Sequence, residues 1–549
     1  MKSLEKSFPY LLLAGILINA NGLINDILEP DGALYATIAK HIALTGEWFS
    51  LYGDGHDWLD KPHFPFWMAA FSFKVFGVNS FAYKFPAFLF WLAGTWFTYK
   101  LAKELYDVAT AKVSVIIYIF SLHAILNNFD VRAEPYLTAL CIAAIYYFYK
   151  STISKKWSHI ALTALTAACA VMTKGIFVLI TIGGGFVIFW IISKQWKQFI
   201  NYRWWMMILL IFIFITPELY SLYTQFDLHP EKIVFGKTNV SGLRFFFWDS
   251  QFGRFFNTGP IKGHGDPSFF LHTTLWAFLP WSIILYIATI RLILRKNQNN
   301  DRSRWVVYGS AVVTFILFSF SGFQLPFYIV IIFPQFSIIA AAYLTSLHSL
   351  NTFKRLVFFQ NTLLIIAGIF VGAITYYTQF ANVVITVLIS SVIIILYFIS
   401  AKINQSNRIL LSGAAFSIVL FLFLHNFFYP KLLTYQSGMM AGKYIDSINI
   451  HNTSAMFKAG SYSFEFYAPG YVQRLDTITD LDRFIKKDSN QVIYTTKDKL
   501  EELKQQGYHY STLANFPDFH ISMLTGRFLN PSTRDREVKE AVLIRVQKR

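Results

Sequence analysis

The first 428 residues read as long apolar runs separated by short polar connections. A helix that crosses a bilayer needs roughly 17–25 mostly apolar residues. Runs of that kind lie near 8–28, 81–103, 112–127, 134–149, 157–173, 175–193, 204–224, 269–294, 305–321, 325–346, 356–377, 382–400 and 408–428. The pattern predicts about thirteen spanning helices; the runs at 112–127, 134–149 and 157–173 are among the shortest. Lys2 and Lys6 precede the first run and no small-residue cleavage site follows it, so it is expected to stay as an uncleaved span.

The connections differ in charge. One set carries Lys100, Lys103 and Lys112; Lys150, Lys155 and Lys156; Lys194, Lys197 and Arg203; a cluster from Arg291 to Arg304; Lys354 and Arg355; and Lys402 and Arg408. The short connections on the opposite side hold only Arg132 and Lys174. Basic loops stay in the cytoplasm, which places the N-terminus there. An odd number of spans then sends 429–549, with the long connections 29–80 and 225–268, to the outer side. The expected localisation is a bacterial inner membrane, with the C-terminal part in the periplasm.

Residues 429–549 have no spanning run. Gln491–Thr496 reads as a strand, Lys497–Gln506 as a helix stopped by Gly507, and Glu537–Val546 as another strand. The expected fold class is a polytopic α-helical membrane protein, 1–428, followed by a small α/β outer domain, 429–549.

Composition agrees. The 549 residues are 55% hydrophobic, 18% aromatic and 14% charged, with net charge +17. Soluble domains carry about 25% charged residues, which excludes an ordinary soluble, disordered or coiled-coil chain. On a membrane protein the surplus of lysine and arginine flanks the spans and does not imply nucleic acid. Two cysteines, Cys141 and Cys169, both in apolar runs, exclude a disulfide scaffold or a cysteine-built zinc site.

Charged groups near hydrocarbon are costly and point to function. The first outer loop holds Glu29-Pro30-Asp31-Gly32-Ala33-Leu34-Tyr35-Ala36 and then Trp58-Leu59-Asp60-Lys61-Pro62-His63-Phe64-Pro65-Phe66-Trp67. Pro30 followed by Leu34, Ile38 and Ile42 up to Gly46 predicts a helix lying along the membrane surface, with Asp31 in its first turn. The helix dipole favours a carboxylate there, which suits either acceptance of a hydroxyl proton or a plain helix cap. Lys61, at headgroup depth, suits a phosphate oxygen or interfacial anchoring. His63 beside it suits either as well. Phe81, Phe85, Phe88, Phe90 and Trp91 form an aromatic stripe that fits a polyprenyl groove or ordinary packing.

The segment around Asp31, the Asp60-Lys61-Pro62 segment running into Phe66-Trp67, and Phe76-Gly77 resemble glycosyltransferase family 39. They also resemble its protein-mannosyltransferase and aminoarabinose (lipid A) transferase relatives of the GT-C class. Met172-Thr173-Lys174-Gly175, Phe278-Leu279-Pro280-Trp281 and Ser321-Gly322-Phe323-Gln324-Leu325-Pro326-Phe327-Tyr328 extend the resemblance over roughly 8–345. It implies transfer of a monosaccharide from a polyprenyl-phosphate donor to an acceptor on the outer side, with inversion. The acceptor would be lipid A, another glycan or protein.

By this resemblance Asp31 takes the acceptor-activating role and Lys61 contacts the lipid phosphate. Tyr35 and Asp60 support them. Glu134, within Asp130-Val131-Arg132-Ala133-Glu134-Pro135, matches a second outer carboxylate. Asp130 competes with it for that place, and Arg132 stands between them. Lys174 matches a Lys-Gly motif, as structural anchor or donor-site cation. The chain departs from the pattern: Leu34 replaces an arginine, His63 a proline, Gln324 a lysine and Phe327 a histidine. Arg254 and His264, in the 225–268 loop, are candidates to supply the missing phosphate-binding charge, or are solvated loop residues. The residues permit a divalent ion but do not demand one; Asp31 and Glu134 would share it if the fold brought them together.

Two other functions compete: a polysaccharide ligase or polymerase using polyprenyl donors, and a lipid-linked sugar flippase. A flippase is expected to show internal repeats and charges near the midplane. The ionisable residues here cluster at the outer face.

Overall fold

The computed structural model describes residues 2–294, 301–380, 405–448, 453–487 and 491–548. The predicted span at 382–400 lies outside the described residues. The helices that bear on the site are α1 (Lys2–Asn21), α2 (Asp31–Thr45), α3 (Phe64–Phe76), α4 (Ser80–Leu105), α5 (Val108–Ile119), α6 (Leu122–Phe129), α7 (Glu134–Ser154), α8 (Trp157–Lys174), α9 (Val178–Ile192), α10 (Tyr202–Phe214) and α11 (Thr216–Leu222). Among the described residues, four helices are long and apolar enough to cross a membrane. They are Ser7–Ile24, Pro326–Thr345, Leu350–Thr378 and Asn407–Leu433.

Several predicted spans are bent. The 112–127 run forms α5 and α6, which meet at 54°, and the 204–224 run forms α10 and the helical stretch beginning at Thr216, which meet at 42°. Pro217 stands at the second break, where its missing N–H interrupts the hydrogen-bond ladder. The 269–294 run is likewise two helices, Phe269–Ala277 and Ser282–Leu294, with Pro280 between them.

Helix α2 begins directly after Pro30 and is closed by Gly46, whose φ of 78° is left-handed and whose N–H bonds to Ile42 O at 2.9 Å. It does not lie bare on a surface. Ala33, Ala36, Ile38, Ala39 and Ile42 are all fully buried, because α3, a hairpin and the C-terminal region cover it. That hairpin, β1 (Tyr52–Gly53) and β2 (His56–Asp57), turns on Asp54-Gly55, both at positive φ.

The C-terminal region contains strands β3 (Ser454–Phe457), β4 (Val472–Leu475), β5 (Val492–Thr496), β6 (Tyr508–Asp518) and β7 (Lys539–Lys548), in the order β4-β3-β5-β7-β6. β3 is parallel to β4 and β5, while β7 is antiparallel to β5 and β6. This sheet docks on the first loop through buried polar contacts. Lys40 donates to the carbonyls of Glu465, Phe466 and Ala468 at 2.7, 3.1 and 2.6 Å, closing the short helix Tyr462–Tyr467. Burial pulls its ammonium down from 10.5 to about 7, against the pull of Glu465. Glu29 is held from the same side. Its N–H donates to Gln436 Oε1, and its Oε1 accepts from Ser461 Oγ and the Ser463 N–H.

Candidate active site

The N-terminal turn of α2, the loop before α3 and the loop before α7 converge on one polar chamber of about 290 Å3. Asp31, Tyr35, Asp60, Lys61, Arg132, Glu134, Lys174 and Arg254 all line it. Five ion pairs, in three groups, organise these side chains. Arg132 Nη1 donates to Asp31 Oδ2 at 2.6 Å, and its Nη2 to Asp130 Oδ2 at 2.9 Å. Lys61 Nζ donates to Asp60 Oδ2 at 2.5 Å, and Arg254 pairs with Asp60 Oδ1. Lys174 Nζ donates to Glu134 Oε1 at 2.9 Å.

Aromatic faces back the cations. The Arg132 guanidinium lies 4.3 Å from the Phe327 ring centroid, and Lys174 Nζ lies 3.8 Å from that of Tyr328. Phe327, where relatives often carry histidine, therefore acts as the plate under Arg132. Gln324, where relatives often carry lysine, ties backbone together: it donates to Phe318 O and Ser319 O and accepts from the Asp266 N–H.

Burial sets the protonation states. It pulls the Lys61 ammonium down to about 8, although Asp60 works the other way. Burial would raise Asp60, but Lys61 and Arg254 overcome it and hold the carboxyl at about 2. Burial also opposes the Arg132 charge; Asp130 and Asp31 more than offset this and raise its pKa. Burial, then Asp60, Asp31 and Glu134, push the Tyr35 phenol well up, so it serves as a neutral hydroxyl.

A second, apolar chamber of about 110 Å3 adjoins the first. Phe177, Val178, Leu222, Phe245, Phe246, Phe318 and Ile331 line it. Asp60, Lys61, Glu134, Lys174 and Arg254 line both chambers, as do Phe323 and Tyr328. Three cations thus stand where a polar space meets an oily one. The predicted stripe from Phe81 to Trp91 does not line this space: Phe81 stacks on Phe85, and Phe88 on Trp91.

The two carboxylates competing for the second acidic position separate clearly. Glu134 lines both chambers, whereas Asp130 lines neither and serves Arg132. Two of the candidates for a phosphate, His63 and His264, line neither chamber. His63 is buried, its N–H and Nδ1 each 3.0 Å from the Glu218 carboxylate. His264 is exposed. Arg254 does reach the site. His56, Asp57 and Trp58 complete the polar chamber, with Asp57 held by Lys232 at 2.9 Å. Asp31 and Glu134 share the chamber, but each already carries a cation. Among the described residues no three His, Cys, Asp or Glu side chains are grouped as metal ligands.

The sequence profile of dolichyl-phosphate-mannose-protein mannosyltransferases matches residues 60–220. An uncharacterized protein of Aquifex aeolicus is 26% identical over 384 residues, 68% of this chain and 71% of that protein. The undecaprenyl phosphate-alpha-4-amino-4-deoxy-L-arabinose arabinosyl transferase of Shewanella sediminis is 24% identical over 325 residues, 58% of this chain. The match spans 56% of that curated relative's length. The crystal structure of ArnT from Cupriavidus metallidurans bound to undecaprenyl phosphate superposes with a TM-score of 0.75, covering 97% of each chain at 14% identity.

The chain shares the fold of that structure along almost its whole length. The polytopic helical membrane architecture expected from the apolar runs is the architecture of that fold, and the motif resemblance agrees with it. The profile match begins at Asp60 and ends at Tyr220, so it takes in Lys61, Arg132, Glu134 and Lys174 but neither Asp31 nor Arg254.

Proposed function

We propose that the chain is an integral-membrane glycosyltransferase moving a monosaccharide from a polyprenyl-phosphate donor to an acceptor hydroxyl. One observation carries this reading: Lys61, Lys174 and Arg254 stand on the wall common to the polar and the apolar chamber. A lipid-linked sugar has the matching order of parts, with an oily tail, a phosphate and then a sugar. The tail fits the apolar chamber, the phosphate meets the three cations, and the sugar enters the polar chamber beside Asp31. Relatives named as undecaprenyl-phosphate arabinosyl transferases support it.

The chemistry follows from where charge develops. As the bond from the sugar C1 to the phosphate oxygen breaks, its electron pair goes to the phosphate and the sugar gains oxocarbenium character. Cations fixed beforehand stabilise the departing phosphate without reorganising. The acceptor oxygen attacks C1 from the opposite face, so the anomeric centre inverts, and its proton passes to Asp31. Arg132 uses one Asp31 oxygen, Oδ2; a carboxylate has a second. The phosphate leaves as an anion and needs no general acid. Glu134 holds Lys174 in place.

In this reading thirteen spans place the N-terminus in the cytoplasm. Residues 429–549 form a periplasmic domain whose contacts with Glu29 and Lys40 brace α2 and so aim Asp31. The acceptor is a lipid, glycan or protein exposed on that side. The test is reconstitution of the purified chain in vesicles with undecaprenyl-phosphate-linked 4-amino-4-deoxy-L-arabinose. Release of undecaprenyl phosphate together with a glycosylated acceptor is expected, and its loss in Lys61→Ala. Movement of intact donor across the bilayer without cleavage would overturn the reading.

A further inference from the structure

A third cavity, of about 380 Å3, lies between α2, the β1–β2 hairpin and strand β4. The hairpin divides it from the polar chamber: Tyr52 to Gly55 line the third cavity, and His56, Asp57 and Trp58 line the chamber. Helix α2 is split in the same way. Asp31 and Tyr35 face the chamber, and Lys40, His41 and Leu44 line the cavity. At about 100° per residue the two sets fall on opposite faces, and about 15 Å of helix separates Asp31 from His41. The volume is that of a small-molecule site.

The lining is polar but nearly balanced in charge. Asp54, Glu465 and Asp476 oppose Lys40 and Arg474. Arg474 is already shared, with Nη1 on Asp54 and Nε on Glu465, both at 2.6 Å. The Lys40 ammonium is spent on three backbone carbonyls. Such a wall offers no surplus cation to a phosphate, yet it retains hydrogen-bonding capacity. Arg474 Nη2 and His41 Nδ1 are buried without a hydrogen-bond partner among the described residues, a state that costs about 1–3 kcal/mol for each group.

Aromatic rings supply the other half. His41 packs against both Tyr52 and Tyr471, with ring centroids 5.2 and 6.3 Å away, and Tyr471 is 52% exposed. Flat rings beside carboxylates and a guanidinium match a pyranose, which has apolar C–H faces and hydroxyls that donate and accept at its edge. Among the described residues β4 pairs with β3 alone, so its open edge adds backbone groups to the rim. At four residues it is a short platform for an extended peptide.

We propose that this cavity binds neutral sugar rings of a glycan-bearing acceptor, holding it across the hairpin while the acceptor hydroxyl reaches Asp31. The proposal rests on the glycosyltransferase reading and narrows its acceptor to a substrate with several sugar rings. The test probes the full-length chain, purified in detergent, against an array of neutral and phosphorylated bacterial oligosaccharides. Binding to neutral oligosaccharides is expected, weakened about tenfold in Tyr471→Ala and retained in Asp31→Asn. A second variant, Gln473→Ala, checks the β4 rim and is expected to weaken the same glycans. No glycan bound by the wild-type chain, phosphorylated glycans alone, or unchanged binding in both variants would overturn the proposal. Donor turnover is a separate readout: its absence sinks the transferase reading whatever the array shows.

Discussion

Lys174 Nζ lies 2.9 Å from Glu134 Oε1, and both residues face the polar and the apolar chamber. The Glu134 side chain is only 2% exposed, so Lys174→Met leaves a carboxylate buried without its cation. Removing one partner of a buried pair costs about 3–5 kcal/mol, visible as a lower unfolding temperature. Combining Lys174→Met with Glu134→Leu is expected to restore most of that stability but not the affinity for undecaprenyl phosphate, because a phosphate-facing charge is gone. Recovery of both would make the pair purely structural.

Lys61 gives a pH dependence with two opposite signs. Its ammonium is held down at about 8 by burial, so undecaprenyl-phosphate affinity is expected to fall as pH rises through about 8. The unfolded chain keeps this lysine protonated up to about 10.4. Between those values the unfolded state binds more protons, and this residue's contribution to the stability of the unliganded protein rises with pH. Titrations of ligand and thermal scans on either side of pH 8 check both signs. Lys61→Arg is expected to abolish the fall, since a guanidinium stays charged.

His63 is a positioning residue in this account. Its N–H and ring hold Glu218 on α11, anchoring the chain next to Lys61 to a different bent span. His63→Ala leaves a buried acceptor unmade, at a cost of about 1–3 kcal/mol. The expected outcome is a lower unfolding temperature and weaker phosphate binding, with the pH midpoint set by Lys61 unchanged. A shift of that midpoint would place His63 on the phosphate after all.

Much of the helical architecture is legible along the chain because hydropathy is a local property. The segments carrying Asp31, Lys61, Glu134 and Lys174 are legible too, since charge beside long apolar runs stands out. Pairings between distant segments are not. Nothing near His63 announces Glu218, 155 positions away, and Arg254 meets Asp60 across 194. His63, which by its place beside Lys61 suited a phosphate or the interface alike, instead faces Glu218, because neighbouring residues on an irregular loop point in different directions. The apolar chamber is illegible for a related reason: the aromatic stripe from Phe81 to Trp91 belongs to one helix, whereas Phe177, Leu222, Phe245 and Phe318 come from four separate segments. Bends at Pro217 and Pro280 interrupt runs that are continuous by composition.

In the proposed account the C-terminal region braces the site through Glu29, two residues before Asp31. Gln436 accepts from the Glu29 N–H and donates to Ile27 O, both at 3.0 Å. Gln436→Ala is expected to lower kcat several-fold by loosening the approach to α2, with donor KM little changed because no cation moves. An equal loss in Lys61-dependent phosphate binding would contradict this assignment.

In the proposed mechanism Asp31 takes the acceptor proton, and Asp31→Asn keeps its shape while removing that ability. The decisive measurement is single-turnover transfer from an undecaprenyl-phosphate sugar by wild type and Asp31→Asn at saturating donor. A drop of about 10²–10⁴-fold with unchanged donor affinity is expected. Transfer at the wild-type rate in Asp31→Asn would contradict the account.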